Sequence, residues 1–244
     1  MRAWTLAVAG ICYTAFFAAF VYFIGFVAAI DLLPTHVDKG LSAGIGTALL
    51  VDVALIALFG VQHSVMARPG FKARWIRVVP RQLERSVYCL AAAAALMAMM
   101  LLWHPIPGWV WHVTEPMART VLWALLGLGF VVVFTSTHLI SHWELFGLSQ
   151  AWHHVRGSEA TARPFQTPLF YRAVRHPLYT GFLIALWATP DMSYGHLLLA
   201  LGLTAYVLVA IGYEERDLLA TFGDQYADYR KRVGALIPGI GRRA

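Results

Sequence analysis

Apolar residues run along this chain in long blocks separated by short polar stretches. The blocks cover residues 4–30, 41–62, 86–103 and 120–140, then a shorter one at 178–189 and a further one at 194–213. A helix needs about 20 apolar residues to cross the hydrocarbon core of a bilayer, so each of the first four predicts a full span. The fifth has only about a dozen before Thr189-Pro190-Asp191 turns the chain into the sixth. The pattern predicts an all-α integral membrane protein, with four full transmembrane helices and a C-terminal helical hairpin. We expect one membrane domain over residues 1–244: a four-span bundle in 1–146, then the hairpin and tail in 147–244.

Composition agrees with this pattern. The chain is 59% hydrophobic and 13% charged, with a mean hydropathy of +0.62; a soluble domain is closer to half apolar and a quarter charged. No large soluble domain fits beside the spans. The first block is too long for the apolar core of a signal peptide and has no small-residue cleavage site at its end, so it reads as the first span. Cys12 and Cys89 lie inside apolar blocks and read as small buried residues rather than a disulfide or a nucleophile.

Charge sets the orientation. Of the 19 basic residues, 17 fall at the termini or in the loops after the second and fourth blocks, leaving only Lys39 and Arg119 on the other side. Basic residues stay cytoplasmic, which predicts that both termini are cytoplasmic. The loop "MARPGFKARWIRVVP" carries Phe71, Trp75 and Val78 or Val79 on one helical face and Lys72, Arg74 and Arg77 elsewhere, the pattern of a short helix lying at the membrane surface. "HPIPGWVWHVTEP", rich in proline and tryptophan, reads as an interfacial cap on the opposite side.

Ionisable groups within spans are costly and point to function. His63 and Ser64 close the second span. Glu84, Arg85, Ser86 and Tyr88 open the third, His138, His142 and Glu144 close the fourth, and Arg175, His176 and Tyr179 open the hairpin that Glu214 and Glu215 close. All fall at the cytoplasmic depth, as a cup would; only Asp52 lies deeper. A carrier needs polar groups across the full thickness of the membrane. An enzyme drawing a polar cofactor from the cytosol needs this arrangement instead.

"RAVRHPLYTG" has a physical reading of its own. The residue before a proline is pushed out of the helical region, so His176 is extended and the helix starts at Pro177. A helix N-terminus offers free amides and partial positive charge to a carboxylate, and Arg175 adds a guanidinium. Glu214 and Glu215 offer charge suited to an ammonium group. Together these fit an α-amino acid, although the same residues also suit contact with lipid phosphates and a solvated helix end.

"YRAVRHPLYTGF" with "YEERDLLATFGDQYADYRKRVGALIPG" resembles the C-terminal core of the isoprenylcysteine carboxyl methyltransferase and phospholipid methyltransferase superfamily. There the pattern R-H-P-x-Y-x-G, then E-E, then F-G-x-x-Y-x-x-Y and a closing I-P forms an S-adenosyl-L-methionine site. The resemblance implies that Arg175, His176, Pro177, Tyr179 and Gly181 line a cofactor pocket, open to the cytoplasm, and that Glu214 and Glu215 hold the methionine amino group. "VQHSVMARPGFKARWIRVVPRQLERSVY" and "ISHWELFGLSQAW" resemble one branch, the bacterial methanethiol S-methyltransferases, membrane enzymes that make dimethyl sulfide. This implies a small thiol substrate, S-adenosyl-L-homocysteine as the second product, residence in the bacterial inner membrane, and no nucleic-acid partner.

In such a reaction the thiolate is the nucleophile, and a free thiol is mostly protonated at neutral pH. His142, oriented by Glu144 or Tyr88, is the first candidate for general base and His63 the second. Arg85 is placed to stabilise the thiolate, with Glu84 balancing its charge. His138 and His142 have the spacing of two metal ligands on a helix, but no further ligand cluster accompanies them and no metal is expected. Two other readings stay open: a methyltransferase acting on a lipid amine or prenylcysteine carboxyl group, and a non-enzymatic membrane protein of nitrite and nitric oxide metabolism that shares the "HSVMAR…ERS" region.

Overall fold

The structure is a computed structural model describing residues 2–158 and 164–242. Arg163 and Arg243, two of the basic residues used above to orient the chain, lie outside the described residues. In chain order the elements are α1 (Ala3–Val27), α2 (Ile45–Ala67), α3 (Pro69–Trp75), α4 (Glu84–Leu101), β1 (Trp109–His112), α5 (Pro116–Ile140), α6 (His142–Leu145), α7 (Leu148–Arg156), α8 (Pro177–Trp187), β2 (Asp191–Ser193), α9 (Tyr194–Phe222) and α10 (Asp224–Arg232).

The protein is a mostly helical, multi-pass membrane protein. Among the described residues five helices are long and apolar enough to cross a bilayer: α1, α2, α4 with the preceding 3-10 turn from Arg81, α5 and α9. The last is longer than its apolar block, because the helix continues through Tyr213 and the acidic pair to Phe222. Helix α8 has 11 residues, in keeping with its short block. The short helix anticipated in "MARPGFKARWIRVVP" is α3; it stops at Trp75, whose ring lies 5.6 Å from that of Phe71. The strands β1 and β2 pair as a two-stranded sheet that the apolar pattern does not signal. Proline-interrupted connections cannot satisfy their backbone groups as helices, and short pairing does so instead.

The described chain falls into two compact units. The first comprises Met1–Val110, His142–Thr161 and Ser193–Gly202. In it α1 packs against α4 and α7, and α2 against α4. Ala9, Leu83 and Ala151 meet in its core. Asp52, the one deep carboxylate, is fully buried and accepts the His104 backbone N–H at 3.0 Å, so a hydrogen bond inside the bundle accounts for it. Cys12 and Cys89 are both buried and unbridged. Gly147 links α6 to α7 at a left-handed φ of 85°, where a Cβ would come within 2.5 Å of Ser86 Oγ.

The second unit comprises Trp111–Ser141, Ala162–Met192 and Leu203–Ala244. Here α5 packs along α8 through two glycines. A Cβ on Gly129 would lie 2.6 Å from the Gly181 carbonyl oxygen, and one on Gly181 would lie 2.6 Å from that of Gly129. Lipid offers no hydrophobic gain for bringing helices together, so close backbone approach through small residues supplies the contact. Glu115 caps α5 by accepting from the Met117 and Ala118 amides, and Pro116 stands at the first helical position. Arg119 forms a two-pronged bond to Asp191, at 2.8 Å for each oxygen, and His112 Nδ1 meets the same carboxylate at 2.7 Å. The segment around β1 and β2 is thus tied down by charge, and the Arg119 pairing holds Asp191 below the usual carboxylate pKa.

Gly129→Val and Gly181→Val each force backbone apart. Each should cost about 1–3 kcal/mol, the usual range for overpacking, read as a lower thermal midpoint of the detergent-solubilised protein. Gly10→Ala, where an added Cβ meets nothing within 4 Å, should leave the midpoint unchanged.

Candidate functional site

In the second unit, the sequence R-H-P places three consecutive residues at one buried corner. His176 precedes Pro177 outside the helical region but short of the extended conformation expected of it, with φ −125° and ψ 63°, and α8 begins at the proline. Backbone bonds pin this corner to the tail: Arg175 N–H donates to Gly234 O at 2.8 Å and His176 N–H to Ala235 O at 3.1 Å. The Thr180 hydroxyl donates to Leu236 O at 2.8 Å.

The Arg175 guanidinium, whose side chain is 1% exposed, donates to Glu215 Oε1 from Nε at 2.8 Å and from Nη2 at 2.6 Å. Its remaining donors reach backbone carbonyls of Arg230, Val233 and Gly241. A charge this deep needs a full set of partners, and Arg175 finds them in one carboxylate and the turn after α10. Glu215 is equally buried, and Arg230 Nη1 stands 3.9 Å from its second oxygen.

His176 bridges the two glutamates. Its Nε2 lies 3.3 Å from Glu215 Oε1 and its Nδ1 3.5 Å from Glu214 Oε2. Burial lowers the pKa of this imidazole, and the hydrogen bonds and charge of Glu214 and Glu215 outweigh that, leaving it above the ordinary histidine value. Glu214 differs from its neighbour: its side chain is 45% exposed. Around this group lie the tyrosines of α10. Tyr229 donates to Tyr171 O, and burial pushes its phenol up to about 12. Tyr226 is 1% exposed, and among the described residues its hydroxyl has no hydrogen-bond partner.

The first unit holds the other candidates. α5 ends at Ile140, and His142 starts the single turn of α6, 6% exposed. Its Nε2 meets the Tyr13 hydroxyl of α1 at 2.8 Å, and its ring packs against Phe146 and Trp143 at 4.8 and 5.3 Å. Tyr88 stands with His63, their rings 5.1 Å apart and the Tyr88 hydroxyl donating to the His63 carbonyl at 3.3 Å. The Arg85 Cβ lies beside Gly147, at the turn from α6 into α7. Glu144 sits on α6 itself, where its carbonyl accepts from Gln150 at 3.1 Å.

Set against the expectations, Arg175, His176, Glu214 and Glu215 come together in one site. Pro177 and Tyr179 lie on the first turn of α8, with the Tyr179 ring 5.8 Å from His176. Gly181 is buried with its Cα against α5. The hydroxyl on His142 Nε2 comes from Tyr13, a residue without any sequence signal, since a lone tyrosine in an apolar run looks like bilayer filling. Arg230 was equally hidden among the charges of the tail. His138 Nδ1 donates to the Phe134 carbonyl of its own helix at 2.9 Å.

Comparison with known proteins gives this arrangement a family. Residues 51–236 match the NnrU protein family. The chain is 50% identical over 226 residues to a methanethiol S-methyltransferase of Mycobacterium tuberculosis, covering 93% of this chain and 92% of that one. It is 47% identical to methanethiol S-methyltransferase 2 of Bradyrhizobium diazoefficiens, covering 96% and 89%. With a methanethiol S-methyltransferase of Crocosphaera subtropica it shares 43% identity, over 100% and 95%. No solved structure matches the chain. Matching the one family over most of its length and the named relatives over nearly all of it, the chain belongs to the NnrU protein family and to the family of the methanethiol S-methyltransferases.

Proposed function

We propose that the chain methylates methanethiol to dimethyl sulfide with S-adenosyl-L-methionine, releasing S-adenosyl-L-homocysteine. In this reading it resides in the bacterial inner membrane with both termini cytoplasmic, and the α8–α9 hairpin encloses a cofactor pocket that opens to the cytoplasm. The observation that carries the site assignment is Glu214, a half-exposed carboxylate held at the edge of an otherwise buried charge cluster. The names of the relatives support the substrate.

The residues present fit the amino-acid end of such a donor. Glu214, met by His176 on one side and half-exposed on the other, is an acceptor for an ammonium group, while the buried Tyr226 hydroxyl and the first-turn amides of α8 are donors for a carboxylate. Arg175 and Glu215 spend their bonding capacity on each other, on His176 and on the tail, so their part is to fix the wall on which Glu214 and His176 stand. Pro177, Tyr179 and Gly181 complete that wall. The donor supplies an electrophilic methyl group on a sulfonium sulfur.

In this reading His142 takes the proton from the thiol, and the resulting thiolate takes the methyl group in line with the leaving sulfur. Arg85, balanced by Glu84, stabilises the thiolate, and His63 with Tyr88 and Glu144 completes the polar surroundings. A thiolate and a sulfonium become neutral products, so charge disappears along the reaction, and a dry pocket is compatible with that change.

Purified protein given S-adenosyl-L-methionine and methanethiol should release dimethyl sulfide into the headspace, followed by gas chromatography, and S-adenosyl-L-homocysteine should raise its thermal midpoint. No response to either overturns the reading. Glu214→Ala should weaken S-adenosyl-L-homocysteine binding at least tenfold by calorimetry with the fold intact, since hydrogen bonds to charged groups contribute about 1.5–3 kcal/mol. Glu215→Ala leaves Arg175 buried without its carboxylate and should destabilise the protein itself by about 3–5 kcal/mol. His142→Ala should slow turnover about a hundredfold with cofactor binding unchanged, measured by the same two assays.

A further inference from the structure

A neutral imidazole carries one N–H and one lone pair, so it donates from one nitrogen and accepts at the other. His176 is offered two acceptors instead. Its Nε2 lies 3.3 Å from Glu215 Oε1 and its Nδ1 3.5 Å from Glu214 Oε2, and an ionised carboxylate only accepts. A neutral ring would set one bare nitrogen against a carboxylate oxygen. The ring therefore suits both neighbours only as an imidazolium. Burial opposes that charge, but the bonds and charge of Glu214 and Glu215 prevail and hold its pKa above the ordinary histidine value. The other groups around the ring are fixed. Arg175 donates twice to the same Glu215 oxygen, and Arg230 Nη1 stands 3.9 Å from the second. The Tyr179 ring lies 5.8 Å away. Burial raises the phenols of Tyr171, Tyr226 and Tyr229, which stay neutral. The tail bonded to this corner, residues 233–241, carries no titratable side chain. Glu214 alone stands at the rim, 45% exposed.

We propose that this site exchanges a proton for an ammonium group: as the amino-acid end of the donor reaches Glu214, His176 releases its Nδ1 proton, and the bared Nδ1 becomes a second acceptor for the ammonium. This rests on the reading of Glu214 as the acceptor for that group. Two cations crowding one carboxylate repel each other, and the mobile proton of the imidazolium is the one that leaves. Glu215, already bonded twice by Arg175, does not hold that charge by itself. The step balances: one N–H bond of the ring breaks, its electron pair stays on Nδ1, and the proton passes to the buffer. Nε2 keeps its proton and its place against Glu215. His176 is thus a specificity-determining residue, since a ligand of the same shape without the ammonium leaves the imidazolium on Glu214 and gains nothing from Nδ1. The free site holds a proton that the bound site lacks, so affinity rises with pH up to the pKa of the free imidazole and levels off above it.

The test is calorimetry of the full chain with S-adenosyl-L-homocysteine at about pH 6.5, in phosphate and in Bis-Tris, buffers of different ionisation enthalpy. At that pH the ligand's own amine keeps its proton. The difference between the two heats counts protons, and about one should be released per ligand bound. The dissociation constant should fall up to about tenfold per pH unit below about pH 6.5 and level off above about pH 7.5. The deamino analogue of S-adenosyl-L-homocysteine, which lacks only the ammonium, should bind without releasing a proton. In His176→Gln the release and the pH dependence should both disappear. Heats for wild type that do not depend on the buffer overturn the exchange. The same release with the deamino analogue, a comparison that needs no variant, also overturns it, and an undiminished release in His176→Gln assigns the proton elsewhere. Absence of any S-adenosyl-L-homocysteine binding overturns the underlying reading of the site, whereas binding without release removes the exchange alone.

Discussion

The second unit depends on the pairing of Arg175 with Glu215. Both side chains are almost wholly removed from solvent, and either charge alone would be prohibitively costly there. Together they are tolerated because Arg175 places every edge of its guanidinium on an oxygen. The partners come from three segments distant in sequence: α9 gives the carboxylate, α10 and the turn beyond it give carbonyls, and the residues before α8 give the arginine. A pairing that needs all three segments fixes all three. It also sets His176 with one nitrogen against Glu215, leaving its other edge for Glu214.

This explains a division of labour between two adjacent glutamates. On a helix, neighbouring residues project about 100° apart, so one can face the interior while the next reaches the rim. Glu215 is the interior member and carries structure. Glu214 is the rim member and, in the proposed reaction, carries recognition. A ligand's ammonium then meets a charge that is already desolvated on one side and preorganised by His176, so little ordering remains at the moment of binding.

The chemistry proposed for the first unit follows a similar logic of fixed partners. His142 occupies a single turn isolated between the end of α5 and the left-handed Gly147, and aromatic rings surround it. The Tyr13 hydroxyl, 2.8 Å from its Nε2, gives this histidine a polar partner without adding another buried charge. The glycine contact of α5 with α8 belongs to the same economy: in an apolar solvent, helices are held by close approach and by polar bonds rather than by burial of hydrophobic area.

Much of the architecture was legible in the residues. Block length marked α1, α2, α4, α5 and the start of α9, because transfer of a segment into lipid depends on its own composition. R-H-P marked the start of α8, since proline constrains its own and the preceding residue locally. The sheet of β1 and β2, the extension of α9 through its charged end, and the helices α7 and α10 were not visible. Each is stabilised by contacts made elsewhere in the chain. So it is with the sites: the sequence named Arg175, His176, Glu214, Glu215 and His142, but only the tertiary structure separated structural Glu215 from exposed Glu214 and brought Tyr13 to His142. Apolarity and proline stereochemistry are properties of a segment, whereas partnership is decided by the rotation and packing of helices that no local pattern encodes.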